Sequence, residues 1–151
     1  MKKDSKEEKV LGGLLGLAVG DALGIPVEFT TRNELKKNPV TDFRGDGTHG
    51  QPPGTWSDDS SLAFCLAESL CQGYDLRDMA NRFCRWLDEG YWTPHGQTFD
   101  VGSTTEKAIR RLKEGVNPVE AGGRDEFSNG NGSLMRILPL AYYVEKMSRP
   151  E

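Results

Sequence analysis

The sequence predicts an all-α protein, a compact bundle of several helices joined by long loops. Apolar residues recur at the helical period in five segments, and each segment is bounded by capping or stop residues. No segment alternates apolar and polar residues as a half-buried strand would, and no internal repeat is present. The 151 residues suffice for one domain, so we expect a single domain over residues 1–151.

The first predicted helix begins at a capping box, the sequence SKEE of residues 5–8. It ends before Pro26, because the residue that precedes a proline disfavours helical geometry. The helix contains three glycines spaced four residues apart, Gly12, Gly16 and Gly20. Glycine in a helix interior costs roughly 1 kcal/mol relative to alanine. Since this spacing puts all three on one face, we expect another helix to pack closely there.

Residues 29–56 are rich in Gly, Pro, Thr and Asn, and we predict that they form a long ordered loop. The second helix is predicted from about Asp58 to Gln72, with Gly73 as its C-terminal stop. It is apolar nearly all round, which indicates a central buried helix. The third helix is predicted over Leu76–Glu89, with Asp75 as its cap.

Two further helices follow glycine-rich loops. The loop at residues 90–102 precedes a second capping box, Ser103 with Glu106, which opens a helix that ends at Gly115. The loop at residues 122–132 precedes a last helix over residues 133–147. We expect Pro139 to kink this helix or to end its first segment.

Composition excludes several functional classes. The formal charge is −4, from 19 basic and 23 acidic residues, and no basic stripe of the kind that binds nucleic acid is present. The three cysteines, Cys65, Cys71 and Cys84, form no C-x-x-C pair and fall within apolar helical patterns. We therefore predict buried, reduced thiols of a cytoplasmic protein. With only two histidines in the chain, a zinc site is not favoured.

The apolar run at residues 11–20 follows a lysine-rich start, as in a signal peptide. Acidic residues at positions 4, 7 and 8 argue against that interpretation. The run is also far shorter than the roughly 20 apolar residues that cross a membrane. We therefore expect neither secretion nor a membrane partner.

The segment GTWSDDSSLAF, residues 54–64, places Asp58 and Asp59 side by side at the start of the second helix. Ser and Asp are preferred at helix N-termini, so a cap is the simpler interpretation. However, residues 57–61 supply five consecutive oxygen-bearing side chains, whereas a cap needs one acceptor. Adjacent carboxylates beside a core are costly unless a cation or several donors compensate them. Hard oxygen ligands favour Mg²⁺, Mn²⁺ or Ca²⁺ over zinc.

Two other segments could meet a ligand. In SNGNGSLMR, residues 128–136, a glycine-rich loop leads into a helix, and it is either a flexible turn or a loop whose N–H groups meet an anion or ribose. FDVGSTT, residues 99–105, has the same architecture. Neither is a Walker A or Rossmann motif. Two such loops and an acidic helix start suggest one site built from helix N-termini.

Four segments occur in the order and approximate spacing of a known family: GLAVGDALGIPVE, GTWSDDSSLAF, FDVGSTT and SNGNGSLMRILPLA. Together they resemble the ADP-ribosylglycohydrolase family over residues 11–143. The resemblance implies an all-α fold and hydrolysis of the glycosidic bond that joins ADP-ribose to an acceptor. It also implies a binuclear Mg²⁺ or Mn²⁺ site, and a substrate that is an ADP-ribosylated protein or a small ADP-ribosyl conjugate.

The resemblance also implies roles for particular residues. Ser57, Asp58 and Asp59 match the family's metal-ligating triplet, with serine in place of threonine. Glu28 and Asp100 are the candidate catalytic acid and base, and the spacing does not decide between them. The implied ADP-ribose-binding residues are Gly102, Ser103, Thr104, Asn129, Gly130, Asn131, Gly132 and Ser133.

The chain also departs from the family. Members carry a second acidic motif, D-x-D-[ST], in a C-terminal part, and this sequence contains no such motif after the N-G-N-G segment. We therefore expect it to match the N-terminal part of the family domain and to need a C-terminal half or a partner chain. Its function is then either ADP-ribosyl hydrolysis or a non-catalytic ADP-ribose-binding or crystallin J1-like structural role. A metal-dependent phosphohydrolase is less favoured, because no histidine-rich metal motif accompanies the aspartates.

Overall fold

Six α-helices make up most of the computed structural model, which describes residues 5–147 and side chains as far as Glu145. The helices are α1 Lys6–Gly24, α2 Arg32–Lys37, α3 Asp58–Gln72, α4 Leu76–Glu89, α5 Ser103–Lys113 and α6 Leu138–Met147. Within the described residues, extended backbone pairs only at an isolated bridge between Asp46 and Gln51. The all-α prediction is confirmed, while the predicted limits 1–151 extend beyond the described residues at both ends.

Helix α3 lies at the centre of the bundle and contacts α1, α4 and α6. Its Leu62 and Cys65 are fully buried and pack with Trp86 of α4 and Ile109 of α5. The prediction of a central buried helix is therefore confirmed. Since α3 is fixed on several sides, its N-terminal acidic residues are presented from a rigid support.

Local capping signals predicted several helix ends correctly. The Ser5 hydroxyl accepts from the Glu8 N–H at 3.1 Å, and the Ser5 N–H donates to the Glu8 carboxylate at 2.6 Å. Asp75 caps α4, and Gly73 ends α3 with a φ of 122°. The capping box at Ser103 is wrong, because the carbonyl of Gly102 accepts the first helical hydrogen bond and Ser103 lies inside the first turn.

Two further helix predictions need correction. The long loop at residues 29–56 contains the short helix α2, which has its own capping box between Thr31 and Glu34. The last helix begins at Leu138 rather than at Ser133, after a 3-10 turn over Asn131–Ser133. Pro139 therefore lies in the first turn of α6, where its missing N–H leaves no hydrogen bond unmade.

The predicted packing of the α1 glycines is also wrong. A Cβ atom built on Gly12, Gly16 or Gly20 would meet no other atom within 4 Å. The close approach on α1 occurs instead at Gly13, where a Cβ would overlap the Tyr142 hydroxyl of α6. The glycine stripe therefore faces open space.

Helix α1 is largely exposed, since Ala22 is its one buried residue. The exposed fractions of Leu11, Leu15 and Val19 are 59%, 55% and 46%. The segment Lys6–Val27 is long and apolar enough to cross a membrane, so the expectation that the apolar run is too short does not hold for the whole helix. Core helices and signal sequences share these properties, which therefore do not assign α1 to a membrane.

The three cysteines differ in exposure. Cys65 is buried and Cys84 is half-buried, but Cys71 near the end of α3 is exposed. The prediction of three buried thiols is therefore wrong for Cys71.

Candidate active site

A cleft of about 670 Å³ lies beside α1 and the N-terminus of α3. Gly16 and Gly20 of the glycine stripe form part of its wall, together with Gly24, which explains why these two glycines have no packing neighbour. Five carboxylates line the cleft: Asp21, Glu28, Asp58, Asp59 and Asp100. The structure thus brings both predicted catalytic residues and the predicted metal ligands to one cavity.

Asp21 connects α1 to the start of α3. Its carboxylate accepts from the Ser57 N–H at 2.9 Å and the Ser57 hydroxyl at 2.8 Å. It also accepts from the Ser60 N–H at 3.1 Å and the Ser60 hydroxyl at 2.6 Å. Asp21 was not predicted as a site residue, although an acid within the apolar segment GLAVGDALG was an available signal.

Ser57 caps α3, since its hydroxyl accepts from the Asp59 N–H at 3.3 Å. The cap interpretation is therefore correct for Ser57. It does not account for the carboxylates, because Asp58 is buried with 6% of its surface exposed and Asp59 is half-buried. A hydroxyl has two acceptor lone pairs, so the Ser57 oxygen keeps one for a cation after accepting from Asp59.

Mutual repulsion and burial shape the charge of the cleft. Burial, followed by the charges of Asp59, Asp100 and Asp21, raises the pKa of Asp58 from 3.8 to about 7. Burial and neighbouring carboxylates also raise the pKa of Asp59 and of Asp100. Each pKa is raised because the hydrogen-bond donors and cations around the carboxylate do not fully stabilise its ionised form.

Arg136 supplies a cation near this cluster, and it was not assigned a role from the sequence. Burial lowers the pKa of its guanidinium, and the charge of Asp58 acts in the opposite direction. The guanidinium carbon lies 5.1 Å from the centroid of the Phe83 ring. Arg136, which is half-buried, therefore offsets part of the negative charge of Asp58.

Glu28 and Asp100 approach each other across His49. His49 Nε2 lies 2.5 Å from Glu28 Oε2 and 3.9 Å from Asp100 Oδ1. Asp100 has a φ of 54°, a left-handed conformation that aspartate adopts more readily than most residues. His49 was not predicted as a site residue, because it lies in the long loop and is separated from Glu28 by 21 residues.

Two groups of side chains could hold a metal ion. Ser57, Asp58 and Asp59 offer hard oxygen atoms at the start of α3, and the raised pKa values of both aspartates indicate charge that a cation would balance. The ligand atoms of Glu28, His49 and Asp100 lie within 4.8 Å of one another. The first group fits Mg²⁺ or Mn²⁺ by its chemistry, since all its donors are oxygens.

The two predicted ADP-ribose loops meet at the start of α5. A Cβ on Gly132 would lie 2.5 Å from the Thr105 hydroxyl, and one on Gly130 would lie 3.9 Å from the Thr104 hydroxyl. Gly102 and Asn131 line the cleft. The other predicted residues of this set do not line it: Ser103, Thr104, Asn129, Gly130, Gly132 and Ser133.

The fold and the carboxylate-lined cleft define an all-α protein with a site at helix N-termini. The chain belongs to the ADP-ribosylglycohydrolase family, whose family model matches residues 2–151. The resemblance inferred from the four motifs is therefore confirmed.

Relatives and one solved structure show how much of the family protein this chain covers. "ADP-ribosylarginine hydrolase Tri1" of Pseudomonas putida (strain GB-1) is 37% identical over 139 residues, 90% of this chain and 36% of the relative. "ADP-ribosyl-[dinitrogen reductase] glycohydrolase" of Rhodospirillum rubrum is 35% identical over 146 residues, 93% of this chain and 46% of the relative. A structure titled "ADP-ribosylglycohydrolase-related protein complex" has a TM-score of 0.72 and 42% identity, covering 90% of this chain and 42% of that one. The chain thus spans less than half the length of these proteins.

Proposed function

We propose that this protein functions in hydrolysis of the glycosidic bond that joins ADP-ribose to an acceptor. The observation that supports the proposal most directly is the convergence of five carboxylates on one cleft, in a chain of the ADP-ribosylglycohydrolase family. The names of two relatives refer to ADP-ribosylarginine and to ADP-ribosylated dinitrogen reductase. The proposed substrate here is correspondingly an ADP-ribosylated protein or a small ADP-ribosyl conjugate.

The proposed cofactor is Mg²⁺ or Mn²⁺, held by Ser57, Asp58 and Asp59 in a site that is binuclear when complete. Their oxygen donors suit these ions, and the raised pKa of Asp58 reflects negative charge that such an ion would balance. When bound, the cation supplies electrostatic polarisation of ribose hydroxyls and of water. The hydrogen bonds from Ser57 and Ser60 to Asp21 hold this helix start in place without the cation.

The chemistry proposed for Glu28 and Asp100 follows from their position on the cleft wall. Cleavage of a ribosyl bond develops oxocarbenium-like positive charge, which carboxylates at short range stabilise. One of the two also takes the proton from the attacking water. Burial raises the pKa of Asp100, which brings that carboxyl closer to the range in which it can exchange protons near neutral pH. Both residues remain candidates for the acid/base role.

The ADP-ribose itself is proposed to lie along the cleft wall that contains Gly102 and Asn131. Gly102 precedes α5, so backbone N–H groups of the first turn are available to an anionic or ribosyl group there. The N-G-N-G segment packs against the same helix start, which brings both predicted loops to one side of the cleft.

A complementary part of the family fold is proposed to complete the site, in the same polypeptide or in a partner chain. The chain spans less than half the length of its relatives, and α1 exposes a row of apolar side chains. The cytoplasmic location predicted from the reduced cysteines is likewise retained as a proposal.

The second candidate function is non-catalytic binding of ADP-ribose, or a structural role of crystallin J1 type. It is favoured by one observation: within residues 5–147, the predicted metal ligands all come from the first residues of α3 and its cap. Such a site would bind a cation weakly, because Mg²⁺ usually takes further carboxylates or substrate oxygens.

Calorimetric titration of the purified chain with Mg²⁺, Mn²⁺ and ADP-ribose, followed by a chromatographic assay for release of ADP-ribose from ADP-ribosyl-arginine, separates the two functions. Metal-dependent release supports the hydrolase. Binding of ADP-ribose without release supports the second function. Absence of both binding and release contradicts the hydrolase and the ADP-ribose-binding role.

A further inference from the structure

His49 lies near both carboxylates that are proposed to do the chemistry, Glu28 and Asp100, and the proposed function gives it no role. We propose that His49 is a positioning residue that holds the Glu28 carboxylate on the cleft wall beside Asp100. The catalytic consequence rests on the proposed function, whereas the contact itself can be tested without turnover.

The geometry favours a direct hydrogen bond between His49 and Glu28. The 2.5 Å separation of Nε2 and Oε2 leaves the two atoms in contact, with no room for an ion between them. An ionised carboxylate only accepts hydrogen bonds, so Nε2 carries the hydrogen. A charge-assisted bond of this kind fixes both groups more strongly than a neutral one.

The imidazole is itself held in place by its surroundings. The ring of His49 packs against the ring of Phe99, with centroids 5.6 Å apart, and Phe99 directly precedes Asp100. The side-chain amide of Gln51 donates to the His49 carbonyl at 3.1 Å. The side chain of His49 is mostly buried, with 17% exposed. The position of Nε2 therefore follows from packing, as a positioning role requires.

The loop that carries His49 is docked onto the segment that carries Glu28. The Thr48 hydroxyl donates to the Glu28 carbonyl at 2.7 Å. Gly47, with a φ of 65°, lies so close to Pro26 that a Cβ atom would overlap the Pro26 carbonyl. The backbone of Glu28 and its carboxylate are thus both fixed by consecutive residues of one turn, Gly47–His49.

His49 also brings a donor close to Asp100. Its Nε2 lies 3.9 Å from Asp100 Oδ1. Burial and the charge of Glu28 raise the pKa of Asp100, whereas His49 lowers it. Without the imidazole, Glu28 and Asp100 would face each other with less compensation, and repulsion would move the two carboxylates apart. The effect on catalysis comes from displacement of these groups rather than from a contact between His49 and substrate.

The contact is tested by proton NMR of the ¹⁵N-labelled full chain at pH 7. A downfield signal of the His49 Nε2 proton is expected in the wild-type chain and is expected to disappear in Glu28→Ala. His95→Leu is the matched control, because His95 is the other histidine and hydrogen-bonds Thr55 at 3.0 Å rather than a carboxylate. Absence of the signal in the wild-type chain, or its persistence in Glu28→Ala, overturns the proposal.

The role is tested by hydrolysis of ADP-ribosyl-arginine. His49→Leu is expected to lower kcat by about tenfold or more, as a misplaced catalytic group does, with KM changed by less than about threefold. His49→Gln, which keeps a donor in reach of Glu28, is expected to recover most of the loss. Unchanged kcat in His49→Leu overturns the role. If the wild-type chain releases no ADP-ribose, the proposed function fails, while the NMR signal still decides whether His49 holds Glu28.

Discussion

Asp21 accepts two hydrogen bonds from Ser57, one from the backbone N–H at 2.9 Å and one from the hydroxyl at 2.8 Å. The same carboxylate accepts two more from Ser60. Four hydrogen-bond donors of Ser57 and Ser60, at the start of α3, thus share the single carboxylate of Asp21 in α1. The position of the α3 N-terminus, and of the aspartates that it presents, is set by this contact.

Asp21→Ala is expected to destabilise the fold, because the donors of Ser57 and Ser60, which are both buried, lose their acceptor. A buried donor left without a partner costs about 1–3 kcal/mol, so we expect a loss of about 2–4 kcal/mol after partial rehydration. Urea unfolding followed by circular dichroism measures it. Asp42→Ala, at an exposed position, is the control. A loss below about 0.5 kcal/mol, typical of surface sites, would contradict the role of Asp21 as the acceptor that holds Ser57 and Ser60.

Asp58→Ala is expected to abolish the binding of Mg²⁺ and Mn²⁺ and all metal-dependent hydrolysis. Asp58 is the most buried of the carboxylates in the cleft whose pKa is raised, and removing it takes away one of three proposed ligands. Calorimetry with each metal and the ADP-ribose release assay check the outcome. Full activity of this variant would remove the basis of the metal assignment.

The stability of the metal-free chain is expected to fall as pH rises. The pKa of Asp58 is about 7 in the folded chain against an ordinary 3.8, so the folded chain holds the extra proton between these values. The contribution of this proton to the free energy of unfolding is complete below pH 3.8 and is lost as the pH rises through 7. The raised pKa values of Asp59 and Asp100 act in the same direction.

Asp58→Asn removes the part of this pH dependence that comes from Asp58. Unfolding in the presence of a chelator at pH 5 and pH 8 should show the variant more stable than the wild-type chain at the higher pH, by about 2–4 kcal/mol. The difference in stability between the variant and the wild-type chain should be smaller at pH 5. Asp42→Asn is the control and should leave the pH profile unchanged. A wild-type chain that gains stability between these pH values would show the sign to be wrong.

Gly12 and Gly20 provide a matched pair on α1. Both have open space where a Cβ would lie, but only Gly20 lines the cleft. Replacing either by alanine is expected to stabilise the helix by about 1 kcal/mol. Gly20→Ala should also weaken ADP-ribose binding by about 1 kcal/mol or more, since its methyl group enters the cleft. Equal binding by both variants would show that the ligand lies elsewhere.

Leu15 and Leu62 form a second pair, with 55% and 0% of the side chain exposed. Leu62→Ala is expected to cost about 2–5 kcal/mol because it leaves a cavity in the core. Leu15→Ala should cost less than about 0.5 kcal/mol in the isolated chain. Chemical unfolding measures both. A large loss at Leu15 would indicate that α1 is covered when the chain is alone in solution.

Features encoded by neighbouring residues could be predicted from the sequence. The Ser5 box, the Asp75 cap and the Gly73 stop each depend on residues within one helical turn, and each is present. The cap predicted at Ser103 is wrong by one residue, because Gly102 already supplies the first helical acceptor. Spacing alone does not distinguish these two positions.

Features that depend on distant residues could not be predicted in this way. Asp21 and Ser57 are 36 residues apart, and Glu28 and His49 are 21 apart. Each pair is assembled by the packing of helices and turns that have no local signal for one another. The glycine stripe was interpreted as a packing surface for the same reason, since the sequence does not show whether a helix or a cleft lies against it.

Because carboxyl groups in the cleft have raised pKa values, binding of a cation there would release protons. At neutral pH Asp58, with its pKa of about 7, holds a proton in part of the metal-free molecules, and a divalent cation bound there would displace it. Cation binding should therefore acidify an unbuffered solution, and its measured heat should change with the ionisation enthalpy of the buffer. Acidification would in turn favour loss of the cation. The proposed metal site would therefore exchange protons for the cation, and the prevailing pH would set how much of the protein carries the ion.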